Sequence, residues 1–239
     1  MKYSIIIPYR NRQEHLEILL PRLQEVFKDK DYEIVVSEQN NSDNFRIACV
    51  ENVGFQVCTG DIIILQQVDY YPTDDVSYDI DDQPVLPSKK GIFVNNDLTL
   101  REDIPSGYKR WAIEIDPEFY GGVVILRKEM WDKINGLNPL YKGWGNEDED
   151  LRERFVWAGI PVKRNEIGTF LCLYHEDNGD MSKKKIEHQQ DFYEGRKYFY
   201  EKAYNDRNIG YKNLIADIEE FDCGIKNVKW IKSTNYKIS

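Results

Sequence analysis

Short apolar runs alternate with amphipathic stretches over the first half of the chain. Tyr3 to Pro8 and Tyr32 to Ser37 are compact runs rich in Ile and Val with polar borders, the pattern of strands buried on both faces. Between them Leu16, Ile18, Leu19, Leu20, Leu23 and Val26 recur at helical spacing, which predicts a helix over Glu14 to Phe27 with Pro21 as a kink or restart. Asn44 to Val57 predicts a second crossover helix, stopped by Thr59-Gly60, and Asp61 to Leu65 a third strand. That strand runs into Gln66-Gln67-Val68-Asp69-Tyr70-Tyr71-Pro72, a polar turn at the carboxyl end of a central strand. In open α/β sheets ligands bind at such ends. The alternation predicts an α/β fold with a mostly parallel central sheet flanked by helices.

Beyond Pro72 the pattern weakens. Residues 72–117 are polar and rich in Pro and Asp, so irregular surface structure is expected, with a weak strand near Gly91 to Val94. Val123 to Leu126 predicts a strand, Lys128 to Ile134 a short helix and Asn135 to Asn146 a loop. Glu147 to Ala158 predicts a helix whose acidic first turn suits the positive end of its dipole. Thr169 to Tyr174 predicts a strand, Asn178 to Lys185 a charged loop and Ile186 to Tyr204 a polar helix. With no repeat and no linker, one domain is expected.

Charge narrows the partners. The 239 residues carry 32 Lys and Arg against 42 Asp and Glu, a formal net charge of −10. Such a surface repels a phosphate backbone, so no nucleic-acid partner is expected. No apolar stretch approaches the ~20 residues of a membrane span, and Met1-Lys2-Tyr3-Ser4 runs straight into a strand, so neither a span nor a leader is expected. Cys49, Cys58, Cys172 and Cys223 form no CxxC pair, which fits a reducing compartment. Sixteen Tyr and five Trp slightly favour a ligand with flat apolar faces, such as a sugar.

Three segments at strand ends or helix starts could carry chemistry. In Pro8-Tyr9-Arg10-Asn11-Arg12 an aromatic ring beside two guanidinium groups can stack on a base and pair with a diphosphate, although a solvated turn has the same composition. Asp69 of Gln67-Val68-Asp69 offers hard oxygen ligands to Mg²⁺ or Mn²⁺, or else the side-chain hydrogen bonds of an ordinary turn. In Gly143-Trp144-Gly145-Asn146-Glu147-Asp148-Glu149-Asp150, four consecutive acids repel one another at a helix start, so one carboxylate is a candidate base; a solvated acidic cap is the alternative. His175, three residues after Cys172, could complete a metal site begun by Asp69. Surface positions are expected for His15 and His188.

Read in order, IIIPYRNRQEHL, ENVGF, QVDYYP, FYGGV, GWGNEDED and the histidine of LCLYHEDN resemble the β-1,4-galactosyltransferase family, whose pattern is PFRNR, NVGF, DVD, YFGGV, GWGGEDDD and a downstream histidine. The resemblance implies a GT-A fold, with a nucleotide-sugar-binding half over about 1–126 and an acceptor-binding half over about 127–239. It also implies inverting, metal-dependent transfer of galactose or a related hexose from a UDP-sugar to a hydroxyl of a carbohydrate acceptor, whether free glycan, glycolipid or glycoprotein. By position, Pro8, Tyr9, Arg10, Arg12 and Phe45 would hold the uridine diphosphate, with Gln67, Val68 and Asp69 beside the donor. Asp69 and His175 would bind Mn²⁺, and Cys172 occupies the place of the family's third ligand, often a methionine. Trp144 would close over the donor and Asp148 would be the general base. Glu147, Glu149, Gly145, Phe119, Tyr120, Gly121 and Gly122 would line the acceptor or donor pocket.

The chain departs from that pattern at defined places. Gln67 replaces the first Asp of DVD, Phe119 the donor-facing tyrosine of YFGGV, and Asn146 a glycine. Eukaryotic members are Golgi-anchored by an N-terminal span, whereas this chain begins at its first strand, so a bacterial or viral enzyme of a cytoplasmic compartment is expected. An N-acetylhexosaminyltransferase of the capsule or chondroitin-polymerase type and a non-catalytic sugar-binding relative are the alternatives.

Overall fold

The computed structural model describes residues 1–104, 106–143, 145–175, 186–203 and 207–239. Trp144 and the loop expected at Asn178 to Lys185 lie outside the described residues.

Three parallel strands form the centre. β1 (Tyr3–Tyr9) pairs with β2 (Tyr32–Gln39) on one side and β3 (Ile62–Gln66) on the other, in register from Tyr3 opposite Tyr32 and Ile62. All seven residues of β1 are buried, and they alternate between two cores. Ile5 and Ile7 face one core with helix α1 (Gln13–Val26), while Ile6 faces the other with α2 (Ile47–Val57), α3 (Lys128–Ile134) and α4 (Glu147–Trp157). α1 buries Leu16, Leu19, Leu20 and Leu23, the i, i+3, i+4, i+7 stripe of its sequence. It runs through Pro21 as one helix rather than restarting there, because Pro21 and Glu17, whose carbonyl loses its partner, both lie on the exposed face.

The main sheet has eight strands in the order β10-β11-β2-β1-β3-β7-β5-β8, with β7 at Val123–Arg127, β5 at Val85–Leu86, β8 at Lys163–Arg164, β10 at Leu214–Phe221 and β11 at Val228–Ile238. β7 is antiparallel to β3, and β11 is parallel to β2. The tail is therefore hydrogen-bonded into the main sheet as a hairpin absent from the sequence-based expectations.

A second, three-stranded sheet places the site. β4 (Tyr70–Pro72) runs antiparallel to β9 (Thr169–Leu173), which runs parallel to β6 (Lys90–Val94). The weak strand expected near Gly91 to Val94 is β6, and the region around it, expected to be irregular, also contributes β5 and a 3₁₀ stretch at Ser106–Ala112. α5 spans Ile186–Tyr198 and continues as a π-helical turn at Phe199–Ala203, closely as the sequence predicts.

Candidate active site

The antiparallel pairing of β4 and β9 brings Asp69 and His175 to the same end of the small sheet. Leu173 N–H donates to the Asp69 carbonyl at 2.8 Å, and His175 Nε2 lies 3.3 Å from Asp69 Oδ2. Arg12 Nη2 lies 3.3 Å from His175 Nδ1. His15 is buried beside them, its ring centroid 6.1 Å from that of His175. Its expected surface position is thus corrected: the small sheet covers that end of α1, and burial lowers the imidazole pKa.

The end of β1 supplies the other basic group. Pro8 is buried within the strand, and the Tyr9 ring is also buried, edge-on to Trp230 at 5.2 Å, with its hydroxyl donating to Gln13 at 3.2 Å. Asn11 then turns the chain at φ 52. The Arg10 guanidinium lies 5.2 Å from the Phe45 ring centroid and donates to the Asp43 carbonyl. The structure therefore offers Phe45 with Arg10, rather than Tyr9, as the accessible aromatic and cationic pair.

A pocket opens at the carboxyl end of β3, between α2 and the start of α4. Glu51, Gln67, Tyr120, Gly121, Glu147 and Asp148 line it. Gln67 N–H donates to the Gly122 carbonyl at 3.0 Å, which ties the Gln67-Val68-Asp69 turn to the FYGGV segment. Val68 is buried beneath that turn. A Cβ on Gly121 would lie 2.6 Å from the Phe119 ring and 3.4 Å from Asp148 Oδ2, so glycine is what lets these two groups approach. Gly122 takes φ +84, and a Cβ there would meet Tyr70 at 2.6 Å. Phe119 packs on Trp111 at 4.9 Å, and its carbonyl accepts from Arg164.

The acidic run begins α4. Gly145 takes φ +93 against the Phe192 ring, and Asn146 takes φ 75, the left-handed conformation that explains a glycine in the family pattern and that asparagine tolerates best among the other residues. Asn146 Nδ2 donates to the Phe192 carbonyl at 3.2 Å, which holds the loop to α5. Asp148 Oδ1 accepts the Glu149 N–H at 3.0 Å. One carboxylate oxygen each of Glu147 and Glu149 is buried without a hydrogen-bond partner among the described residues. Burial raises the pKa of Asp148 well above the ordinary carboxylate range, helped by the nearby Glu149 and Glu147, and burial raises Glu147 as well. This is the environment of a proton acceptor.

Cys172 is not brought to the Asp69 and His175 pair as a thiolate. On β9 it points into the core with Phe170 and Tyr70, and burial together with the Asp69 charge keeps the thiol protonated. Among the described residues no three His, Cys, Asp or Glu side chains form a group that could hold a metal ion. Glu51, which opens the ENVGF segment, lines the pocket, and Arg164 donates to the Phe119 carbonyl beside it, but the sequence pattern gives neither a role; a lone acid in an apolar helix run was the available signal for Glu51.

Two family models match in tandem, one described as the N-terminal region of glycosyl transferase group 7 over residues 1–80 and one as the N-terminal domain of galactosyltransferase over residues 108–176. A β-1,4-galactosyltransferase 4 of Cricetulus griseus is 31% identical over 202 residues, covering 79% of this chain and 54% of the relative. The chain belongs to the β-1,4-galactosyltransferase family. A β-N-acetyl-D-glucosaminide β-1,4-N-acetylglucosaminyl-transferase of Lymnaea stagnalis is 32% identical over 186 residues, 74% of this chain and 35% of that one. The chain spans about half the length of the curated β-1,4-galactosyltransferases it matches. Among solved structures, Drosophila β-1,4-galactosyltransferase 7 in complex with manganese, UDP-Gal and xylobiose superposes with a TM-score of 0.74 at 23% identity, over 100% of this chain and 94% of that one. That likeness carries the GT-A fold expected from the sequence. The expectation of a bacterial or viral cytoplasmic enzyme is corrected: the β-1,4-galactosyltransferase relatives come from Cricetulus griseus, Rattus norvegicus and Homo sapiens. Among the described residues no helix is long and apolar enough to cross a membrane.

Proposed function

We propose that the chain is an inverting, divalent-metal-dependent glycosyltransferase that moves galactose, or a related hexose, from a UDP-sugar to a hydroxyl of a carbohydrate acceptor. The observation that carries this reading is one pocket at the end of β3. Its wall holds Asp148 against Gly121, and it is also lined by Gln67, two residues along the chain from Asp69, which lies 3.3 Å from His175. Family membership and the manganese and UDP-Gal bound by the Drosophila neighbour support it.

Asp69 and His175 fit two ligands of one cation: a carboxylate oxygen and a ring nitrogen converge, and both side chains keep some exposure, 19% and 22%. Such a cation neutralises charge on the leaving diphosphate. Arg12 and Arg10 add fixed positive charge on the same side, with Phe45 under the Arg10 guanidinium as a surface for the base. Asp148 takes the proton of the attacking hydroxyl, and its raised pKa brings it toward the range where a general base works best near neutrality. Glu147 and Glu149, with their unpartnered oxygens, bind acceptor hydroxyls. Residues 1–126 thus hold the nucleotide, and 127–239 supply the base.

Donor choice has a second reading. Phe119 has a ring but no hydroxyl where the family pattern has tyrosine, and the Lymnaea relative is named for N-acetylglucosamine transfer. Incubation with Mn²⁺ and a panel of UDP-galactose, UDP-glucose, UDP-N-acetylglucosamine and UDP-N-acetylgalactosamine, with saccharide acceptors, tests both readings through acceptor-dependent UDP release. UDP-galactose should lead. A lead for an N-acetylhexosamine donor would select the second reading, and no release from any of them would overturn the enzyme assignment.

A further inference from the structure

Glu51, the residue just before Asn52-Val53-Gly54-Phe55, is a carboxyl of the pocket to which the sequence pattern gives no role. It sits on α2, where Ala48 through Phe55 are all buried, and is itself 4% exposed. Its Oε1 accepts from Gln67 Nε2 at 3.1 Å, joining α2 to the end of β3. Gln67 stands where the family pattern carries the first, donor-facing Asp of DVD. An Asp carboxylate at 67, one methylene shorter, would face the Glu51 carboxyl with no N–H to offer it, two acids in a shared buried space. The amide instead donates to Glu51, and with its NH₂ group committed there, its carbonyl oxygen is the end left for the pocket. The departure at 67 and the buried acid at 51 are therefore one feature: the acidic group has moved from the turn to the helix behind it.

We propose that Glu51 is a positioning residue of the donor site, holding the Gln67 amide with its carbonyl oxygen toward the sugar, so that sugar hydroxyls are read by a carboxyl–amide pair in place of a single carboxylate. The proposal rests on the UDP-sugar reading above. Burial and the neighbouring Glu147 push the Glu51 carboxyl up to about 8, so near neutrality it is largely the neutral acid, which accepts from Gln67 on one oxygen and donates from the other. A neutral pair beside Glu147 and Asp148 also avoids adding a further negative charge to the wall facing an anionic nucleotide.

The test separates sugar recognition from nucleotide binding and from turnover. Affinities of UDP and UDP-galactose are measured by calorimetry in Mn²⁺, and their ratio gives the contribution of the sugar. Glu51→Leu should lower that ratio about tenfold with UDP affinity unchanged, the scale for neighbouring groups that share a hydrogen bond. Glu51→Gln keeps an acceptor oxygen and should retain the wild-type ratio. In a Gln67→Leu background, Glu51→Leu should have no further effect. A wild-type ratio in Glu51→Leu, an equal loss in Glu51→Gln, or independent multiplying effects would overturn the proposal. If Glu51→Leu does not fold, Glu51→Ala with and without Gln67→Leu gives the same comparison: a wild-type ratio in Glu51→Ala overturns it. Wild-type protein that binds UDP-galactose more tightly than UDP but transfers no sugar would defeat the enzyme reading and leave this one standing.

Discussion

Arg154 Nε donates to Asp150 Oδ2 at 2.6 Å, one helical turn along α4, and neither side chain has any exposed surface. Arg207 reaches the other oxygen of Asp150 at 3.0 Å, while Arg154 also donates to the carbonyls of Ile134 at 3.1 Å, Gly136 at 3.2 Å and Ile209 at 2.6 Å. The acidic run is thereby divided by function. Glu147 and Asp148 line the pocket, and Asp150 with Arg154 ties α4 to the loop after α3 and to residues 207–209. Asp150→Ala strands two buried guanidinium groups and should cost about 3–5 kcal/mol of stability. Urea unfolding checks this, and a loss under about 1 kcal/mol would mean that the network does not hold the helix.

Asp148→Asn should abolish sugar transfer with UDP affinity nearly unchanged. The amide keeps the shape but cannot take a proton, and a positioned base contributes roughly 10² to 10⁴-fold. Initial rates under saturating donor, beside calorimetric UDP binding, separate the two effects. Wild-type turnover in the mutant would move the role of base to Glu147 or Glu149.

Asp69→Ala should weaken Mn²⁺ binding by at least on the order of 10- to 100-fold, and EDTA should remove the activity. Cys172→Ala should leave Mn²⁺ affinity where it was, because the thiol is buried and protonated. Titration of Mn²⁺ in the presence of UDP measures both. A matching loss in Cys172→Ala would mean that the thiol turns out of the core to serve as a ligand.

Stability should fall as pH rises through the range that titrates Glu51. Its carboxyl ionises near the ordinary carboxylate value when unfolded but is held up to about 8 in the folded protein, so between those values the native state carries the extra proton. Unfolding free energy then declines by up to about 1.4 kcal/mol per pH unit across that window and levels off above it. Glu147 and Asp148, also raised, act with the same sign. Glu51→Gln should flatten the decline when denaturant midpoints are compared from pH 5 to 8. Parallel curves for the two proteins would show that Glu51 ionises normally.

The sequence made the local elements legible where a pattern is dictated by one neighbour. The Ile/Val runs of β1, β2 and β3 and the leucine stripe of α1 are each buried as their spacing requires. Longer-range effects were not legible. His15 reads as a surface position because its helix is amphipathic, but the buried face is widened by a sheet assembled from residues far along the chain. Cys172 stands at ligand-like spacing from His175, and strand alternation sends its side chain to the core instead. The tail was opaque for a related reason: β10 forms the edge of the sheet and carries Asp217, Glu219 and Glu220, so its pattern is diluted by water-facing acids.

The parallel pairing of β11 with β2 also sets an order of events during synthesis. β2, β1 and β3 leave the ribosome early and can associate, but the outer edge of β2 stays an open template until residues 228–238 have been made. Ile231, fully buried in the finished sheet, belongs to that late segment. Until those residues are made the nascent chain therefore presents an open hydrogen-bonding edge, and a stall or a premature stop before Val228 would leave that edge free to pair with another chain.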